Sequence, residues 1–270
     1  MESRGRYRRA RRLKNTTLVT GASSGIGLEL ARECAVNGHD LVIAARRQQR
    51  LEDFAKIIRK EFSVNVYIFA IDLSVAGSRK KLFDQIKALD IQVDYLINNA
   101  GFGDYGPFKD SDLDRQIEMI NLNIVALTEL THMFLPDMVE RRAGAILNVA
   151  STAAFQAGPM MSVYFATKAF VLHFSEAIAN ELYETGVRVV ALCPGTTESE
   201  FADIAQAERS LMFNMRRLPT SEQVARFGYV SMVRGKRVAV HGFLNKILTF
   251  AVRLVPRRIV TAIARRMTAD

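Results

Sequence analysis

The 270-residue chain has no tryptophan, only two cysteines, four histidines and six prolines. Cys34 and Cys193 lie far apart inside apolar segments and neither belongs to a CxxC, so a disulfide framework is excluded and a reducing, cytoplasmic compartment is expected. His39, His132, His173 and His241 are scattered without ligand spacing, and no metal site is expected. A spanning helix needs ~18 or more apolar residues. The nearest run, 243–255, is shorter and is interrupted by Asn245, Lys246 and Arg253. The start, MESRGRYRRARRLKN, has no apolar stretch and does not read as a secretory signal. Residues 1–14 are expected to be a solvated, disordered basic arm rather than an organelle transit peptide.

What is present is a globular composition, 49% hydrophobic and 24% charged, able to fill a sizeable core. Of the net charge of +9, residues 1–14 carry +6 and residues 234–270 carry +8, which leaves −5 for 15–233. Strong basicity suggests nucleic acid as a partner. Here it belongs to the two ends, the body offers no broad basic face, and no nucleic-acid partner is expected.

Apolar, β-branched runs at 17–20, 41–45, 65–70, 93–98, 145–149 and 187–192 alternate with helical periodicity at 25–37, 47–61, 78–89, 113–141 and 162–185. Strands apolar on both faces and separated by helices predict an α/β fold: one doubly wound, Rossmann-type parallel sheet of about seven strands with helices on both faces. No repeat or linker divides the chain. Residues 15–240 are read as one dinucleotide-binding and catalytic domain, and 241–270 as an apolar and basic C-terminal helical extension.

The first strand runs into Thr20-Gly21-Ala22-Ser23-Ser24-Gly25-Ile26-Gly27 and then a helix. Glycines let the backbone approach a pyrophosphate, and the helix start attracts its charge. Such a turn alone also occurs with no ligand, so the neighbouring elements decide. At the end of the second strand an acid would take the ribose hydroxyl of NAD, whereas an Arg accommodates the extra phosphate of NADP. The sequence places Arg46 there, with Arg47 next, and NADP(H) is the expected cofactor. Asp72 follows the third strand, either accepting from an adenine amino group or capping a turn. Asn98-Asn99-Ala100-Gly101 follows the fourth strand and Cys193-Pro194-Gly195 the sixth, both able to let the chain pass a cofactor.

Tyr164 and Lys168 stand one helical turn apart. Hydride transfer to a carbonyl needs a proton donor at the developing alkoxide, and an ammonium beside a phenol favours the phenolate and lowers its pKa. Ser151 closes the fifth strand and is placed to hold the substrate oxygen. Asn121 is an amide inside the preceding long helix, read as bending it and holding a water beside Lys168. Each has a bland alternative alone; together they converge.

With these residues in hand, the chain resembles the short-chain dehydrogenase/reductase family of ordinary length, from about residue 15 to at least 240. The resemblance rests on TGASSGIG, Asp72-Leu73, NNAG, Asn121, Ser151, YxxxK and the Pro194-Gly195 turn. It implies a tetrad of Asn121, Ser151, Tyr164 and Lys168. In it Ser151 polarises the carbonyl, Tyr164 acts as general acid or base, Lys168 binds the nicotinamide ribose and lowers the Tyr164 pKa, and Asn121 anchors a relay water. It also implies a cofactor site of Gly21, Ser23, Ser24, Gly25, Ile26, Gly27, Arg46, Asp72, Leu73, Asn99, Ala100, Gly101, Pro194 and Gly195 together with Tyr164 and Lys168. Homo-oligomers joined through the helices of Asn121 and Tyr164 are implied as well. Two positions depart from the family pattern: Ser199 replaces the usual Thr after the Pro-Gly turn, and Ile124 the frequent Gly after the tetrad Asn.

Residues 198–218 fall where the family places its substrate lid and include Phe201, Leu211, Met212, Phe213 and Met215. Phe102, Phe155, Met160 and Met161 are added from other loops. Such residues are more often plain packing, but around a pocket mouth they predict a small lipophilic carbonyl or alcohol as substrate. In 257–267, Ile259, Val260, Ile263, Ala264 and Met267 share one helical face and Arg257, Arg258, Arg265 and Arg266 the other. This reads either as peripheral membrane contact or as a hairpin packed on the protein's own core or a second subunit. The tail and the stretch 98–108 resemble a bacterial branch of DltE-type oxidoreductases. The alternative to an enzyme is a catalytically silent NADP(H)-binding regulatory or membrane-surface protein.

Overall fold

Successive residues of a strand point to opposite faces of its sheet, and here both sets are apolar. The computed structural model describes residues 14–205 and 218–268. The six expected strands are β1 (Thr16–Thr20), β2 (Asp40–Ala45), β3 (Val66–Ala70), β4 (Tyr95–Asn98), β5 (Gly144–Val149) and β6 (Val187–Cys193), and a seventh is β7 (Val238–Val240). All pair in parallel in the order β3-β2-β1-β4-β5-β6-β7.

Val19, Ile43, Ile97, Leu147 and Val190 point to one face. There α1 (Gly25–Val36) and α2 (Gln48–Glu61), with α8 further along the chain (Ser221–Val233), bury them under Leu30, Leu51, Ile58 and Met232. Their sequence neighbours Leu18, Val42, Leu96, Ile146 and Val189 point the other way. They lie under Leu82 and Ile86 of α3 (Ser78–Ala88), Leu130 and Phe134 of α5 (Leu127–Glu140) and Ala179 of α6 (Ser162–Glu181). A truncation such as Leu30→Ala costs about 2–5 kcal/mol at a site packed this densely.

The helix expected over 113–141 is broken. α4 (Leu113–Ile120) is capped by the Asp112 carboxylate, which accepts from the amides of Asp114 and Arg115. One π turn (Asn121–Ala126) then joins it to α5. A π turn inserts an extra residue and rotates the helix beyond it, a local defect frequent at functional sites. The helix expected to reach 185 ends at Glu181. Beyond β6 lie the short α7 (Phe201–Ile204), then α8, β7, α9 (Phe243–Ala251) and α10 (Arg257–Thr268). The arm 1–13 and residues 206–217, with Leu211, Met212, Phe213 and Met215, lie outside the described residues.

Strand order reverses between β1 and β4, which opens a crevice at the carboxyl ends of the strands. Its floor is tied together: Thr20 Oγ1 accepts the amides of Asn99 and Ala100 at 3.0 Å each, and Asn99 Nδ2 donates to the Thr20 carbonyl at 3.0 Å.

Candidate active site

One cleft of ≈ 410 Å³ sits in this crevice. All the expected cofactor residues line it, as do Ser151, Tyr164 and Lys168; Asn121 does not.

The β1 end of the cleft is shaped by the glycine turn. Gly21 has φ +67°, and a Cβ there would stand 2.9 Å from Ala100 Cα; a Cβ on Gly27 would stand 2.4 Å from the Gly21 carbonyl oxygen. Any side chain at either position would therefore push the turn off the β4 loop. α1 starts at Gly25 with no side-chain cap on its first amides and no acid in its first turn, which leaves a helix N-terminus facing the cleft that suits an anion. Ser23 and Ser24 are not capping it because both hydroxyls accept hydrogen bonds from Arg47, at 3.0 and 2.6 Å.

Around the β2 end the cleft is ionic. Arg46 is exposed and lies 3.2 Å from Glu118 Oε1 and 3.7 Å from Asp72 Oδ2. The other Asp72 oxygen accepts from the Ser74 amide and hydroxyl at 2.9 and 2.7 Å, so this carboxylate caps its own turn while lining the cleft. Arg47 also donates to Glu200 at 2.8 Å, and Arg50 pairs with the other Glu200 oxygen. Hydrogen bonds from Arg50 and then Arg47 hold the Glu200 carboxyl down at about 2. Glu200 is a cleft residue that sequence reasoning missed; the sequence shows only an acid directly after Ser199, far along the chain from its partners Arg47 and Arg50.

The catalytic end is dry. α6 places Tyr164 and Lys168 on one face, 9% and 5% exposed. Lys168 Nζ donates to the Val149 carbonyl at 2.8 Å and lies 5.8 Å from the Tyr164 ring centroid. Burial pushes the Tyr164 phenol up to about 12, with a Ser151 hydrogen bond opposing it, and pushes the Lys168 ammonium down to about 8. Loss of hydration thus sets the direction at both groups, and the expected lowering of Tyr164 by Lys168 belongs to the proposed reaction.

Asn121 needs correction. It is half-buried at the start of the π turn. Asn123, which does not line the cleft either, is the amide packed behind its wall: 2% exposed, it accepts from the Phe102 amide at 3.1 Å and donates to the Phe102 carbonyl and to Thr167 Oγ1 at 3.0 Å each. A Cβ on Gly101 would stand 2.7 Å from Asn123 Oδ1 and 3.5 Å from Lys168 Nζ, which puts this amide beside the lysine. Residues two apart on a helix differ by roughly 200° in direction, so only one of the pair can face Lys168.

Of the apolar residues expected at the mouth, Phe102, Met161 and Phe201 line the cleft, with Leu122 and Ile204 beside them. The Tyr164 and Phe201 rings lie 5.2 Å apart. Phe155 instead packs against the core cluster that contains Val171 and Leu172 of α6. Met160 holds a left-handed turn, φ +68°, and its carbonyl accepts from the Gly106 amide at 2.8 Å.

A glycine turn lining the cleft, an uncapped helix start and basic groups at the β2 end fit a nicotinamide dinucleotide bearing phosphates. With Tyr164, Lys168 and Ser151 at the other end, fold and cleft are those of a Rossmann-type dinucleotide-binding domain. A family model described as short chain dehydrogenase matches residues 15–210, and the chain belongs to that family. It is 34% identical over 197 residues to the very-long-chain 3-oxoacyl-CoA reductase of Rattus norvegicus, an alignment covering 72% of this chain and 62% of that protein. The chain thus spans less than two thirds of that relative's length. Among solved structures it is similar to a short-chain dehydrogenase from Sphingobium yanoikuyae in complex with NADPH (TM-score 0.80, 30% identity, covering 95% of this chain and 98% of the other). It is also similar to a bulky-bulky ketone specific alcohol dehydrogenase from Comamonas testosteroni (TM-score 0.76, 27% identity, 89% and 92%). Among the described residues no helix is long and apolar enough to cross a membrane.

Proposed function

We propose that the protein is an NADP(H)-dependent oxidoreductase that interconverts a lipophilic carbonyl compound and its alcohol, with Tyr164 as general acid in reduction and general base in oxidation. The observation that carries this reading is the joint burial of Tyr164 and Lys168 beside Ser151, at one end of a cleft whose other end is lined by Arg46 and Arg47.

The cofactor, when bound, supplies or accepts the hydride. The start of α1 and the Ser23–Ser24 turn would hold its pyrophosphate, Arg46 with Arg47 its extra phosphate, and Gly101, Lys168 and the Pro194-Gly195 turn its nicotinamide half. Ser151 and Tyr164 hold the substrate oxygen. A phenol near 12 keeps its proton at neutral pH and is ready to donate it. Lys168, near 8, is charged at neutral pH and favours the tyrosinate left behind. Asn123 takes the place expected of Asn121: it pins the Phe102 backbone and so positions the Gly101 loop against Lys168.

Phe102, Met161 and Phe201 at the mouth support an apolar substrate, as do the long-chain acyl thioester and bulky ketones named for the two relatives. Two free, buried thiols support a cytoplasmic enzyme. Exposed Ile117 on α4 and the stacked Phe170–Phe174 pair on α6 support a homo-oligomer. The test is cofactor oxidation by the purified protein over ketones, aldehydes, acyl thioesters and sterols, with NADPH and NADH in parallel. Preference for NADPH and for apolar carbonyls is expected. Preference for NADH, or equal turnover of small polar and long-chain ketones, would contradict the reading.

A further inference from the structure

A helix that packs on a protein turns its large apolar residues inward and its polar ones out. α9 and α10 do the reverse. On α9 the residues facing the body are Asn245 and Thr249, while Phe243 is 79% exposed and Leu244, Ile247 and Phe250 are exposed too. On α10 the inward stripe is Val260, Ala264 and Thr268, two of them small or polar, and Ile259 and Ile263 are exposed. Leu254, between the two helices, is 73% exposed. The expected apolar face of 257–267 is therefore split: only its smaller half packs on the body.

The charge of the segment is as one-sided as its packing. Residues 241–268 hold six Lys and Arg and no Asp or Glu. Large apolar side chains interspersed with cations suit a surface that is apolar below and anionic above. A second copy of the same face would bring six cations against six and is disfavoured.

The inner side of the pair reaches the cleft. Asn245 packs on Gly195 so closely that a Cβ there would stand 2.5 Å from its Nδ2, and the Tyr105 hydroxyl, on the loop after Gly101, donates to the Thr268 carbonyl at 2.7 Å. The turn expected over the nicotinamide and the loop beside the substrate end are thus each held by the tail.

We propose that the outer face of α9 and α10 docks on an anionic lipid bilayer, and that these two contacts set the cleft mouth at headgroup depth, where an apolar carbonyl dissolved in the membrane enters. The second half rests on the reading of the cleft as a carbonyl reductase; the docking itself does not. The test uses the full chain, floated with phosphatidylcholine vesicles and with vesicles containing phosphatidylglycerol. The expected result is binding to the anionic vesicles, roughly tenfold weaker without phosphatidylglycerol or in high salt. F243S/L254S is expected to weaken that binding roughly tenfold, to turn over a short, water-soluble ketone at the wild-type rate, and to fall behind wild type on a long-chain ketone supplied in vesicles. Equal binding to both vesicle types, full binding by F243S/L254S, or an oligomer that F243S/L254S splits in sedimentation would overturn the docking. If vesicles bind as expected but no ketone is reduced, the reductase reading falls and the docking stands. If short ketones are reduced but vesicles are not bound, the docking alone falls.

Discussion

The two ends of the cleft are built on opposite principles. At the β2 end Arg46, Arg47 and Arg50 are solvated and share their charge with Asp72, Glu118 and Glu200 through exposed pairs. At the catalytic end Tyr164 and Lys168 are shut away from water, with a single carbonyl bond on the ammonium and a serine hydroxyl beside the phenol. Exposed pairs are weak and exchangeable, so the first end can release its internal partners for a phosphate. Buried groups are strongly perturbed and fixed in place, so the second end holds a proton where it is needed. Under the proposed function, cofactor choice and proton transfer are therefore separable properties, written in different residues.

Substitutions should respect that separation. Ser151→Ala removes a holder of the substrate oxygen and is expected to lower kcat/KM roughly 100-fold, with NADPH affinity unchanged in a fluorescence titration. Arg46→Ala should do the opposite. NADPH binding weakens about 10–100-fold, the loss of a charge-assisted contact, NADH binding hardly moves, and kcat at saturating cofactor stays near wild type. If either variant damaged both properties alike, the two ends would not be independent.

The pH profile sharpens the comparison. Reduction is expected to hold its kcat/KM below pH 8 and to fall about tenfold per unit once pH passes about 8, where the depressed Lys168 loses its charge. The Tyr164 proton is retained until about 12 and contributes no limb in that range. Glu200 titrates far below, near 2, so its pairs with Arg47 and Arg50 contribute no limb in that range. A profile flat to pH 10 would remove Lys168 from its place.

The smallest effect separates two asparagines. Asn123→Ala leaves the buried Phe102 amide and carbonyl without their side-chain partner and is expected to cost about 1–3 kcal/mol of stability, read by thermal unfolding. Asn121→Ala should fall within about 0.5 kcal/mol of wild type, as ordinary substitutions outside such networks do.

That pair also marks where the sequence stopped being readable. The sheet was legible because each strand repeats a two-faced apolar pattern: Leu18 beside Val19, Val42 beside Ile43, Ile146 beside Leu147. The glycine turn, Arg46, Ser151, Tyr164 and Lys168 were legible because their spacing follows strand ends and one helical turn. Choosing between Asn121 and Asn123 needed the π turn, a backbone defect with no distinctive residue to announce it. Glu200 was hidden because its partners, Arg47 and Arg50, are some 150 residues away. The tail gave up its composition but not its orientation: an apolar and basic helix looks the same whether its large side chains face in or out.

The most direct test of the account sets Tyr164→Phe beside wild type, with NADPH binding titrated and NADPH oxidation by a hydrophobic ketone followed on the same preparations. The substitution removes one hydroxyl and leaves the ring against Phe201. The account predicts equal NADPH binding and a loss of turnover of roughly 1,000-fold or more, the proton donor being gone. Turnover within about tenfold of wild type would contradict it.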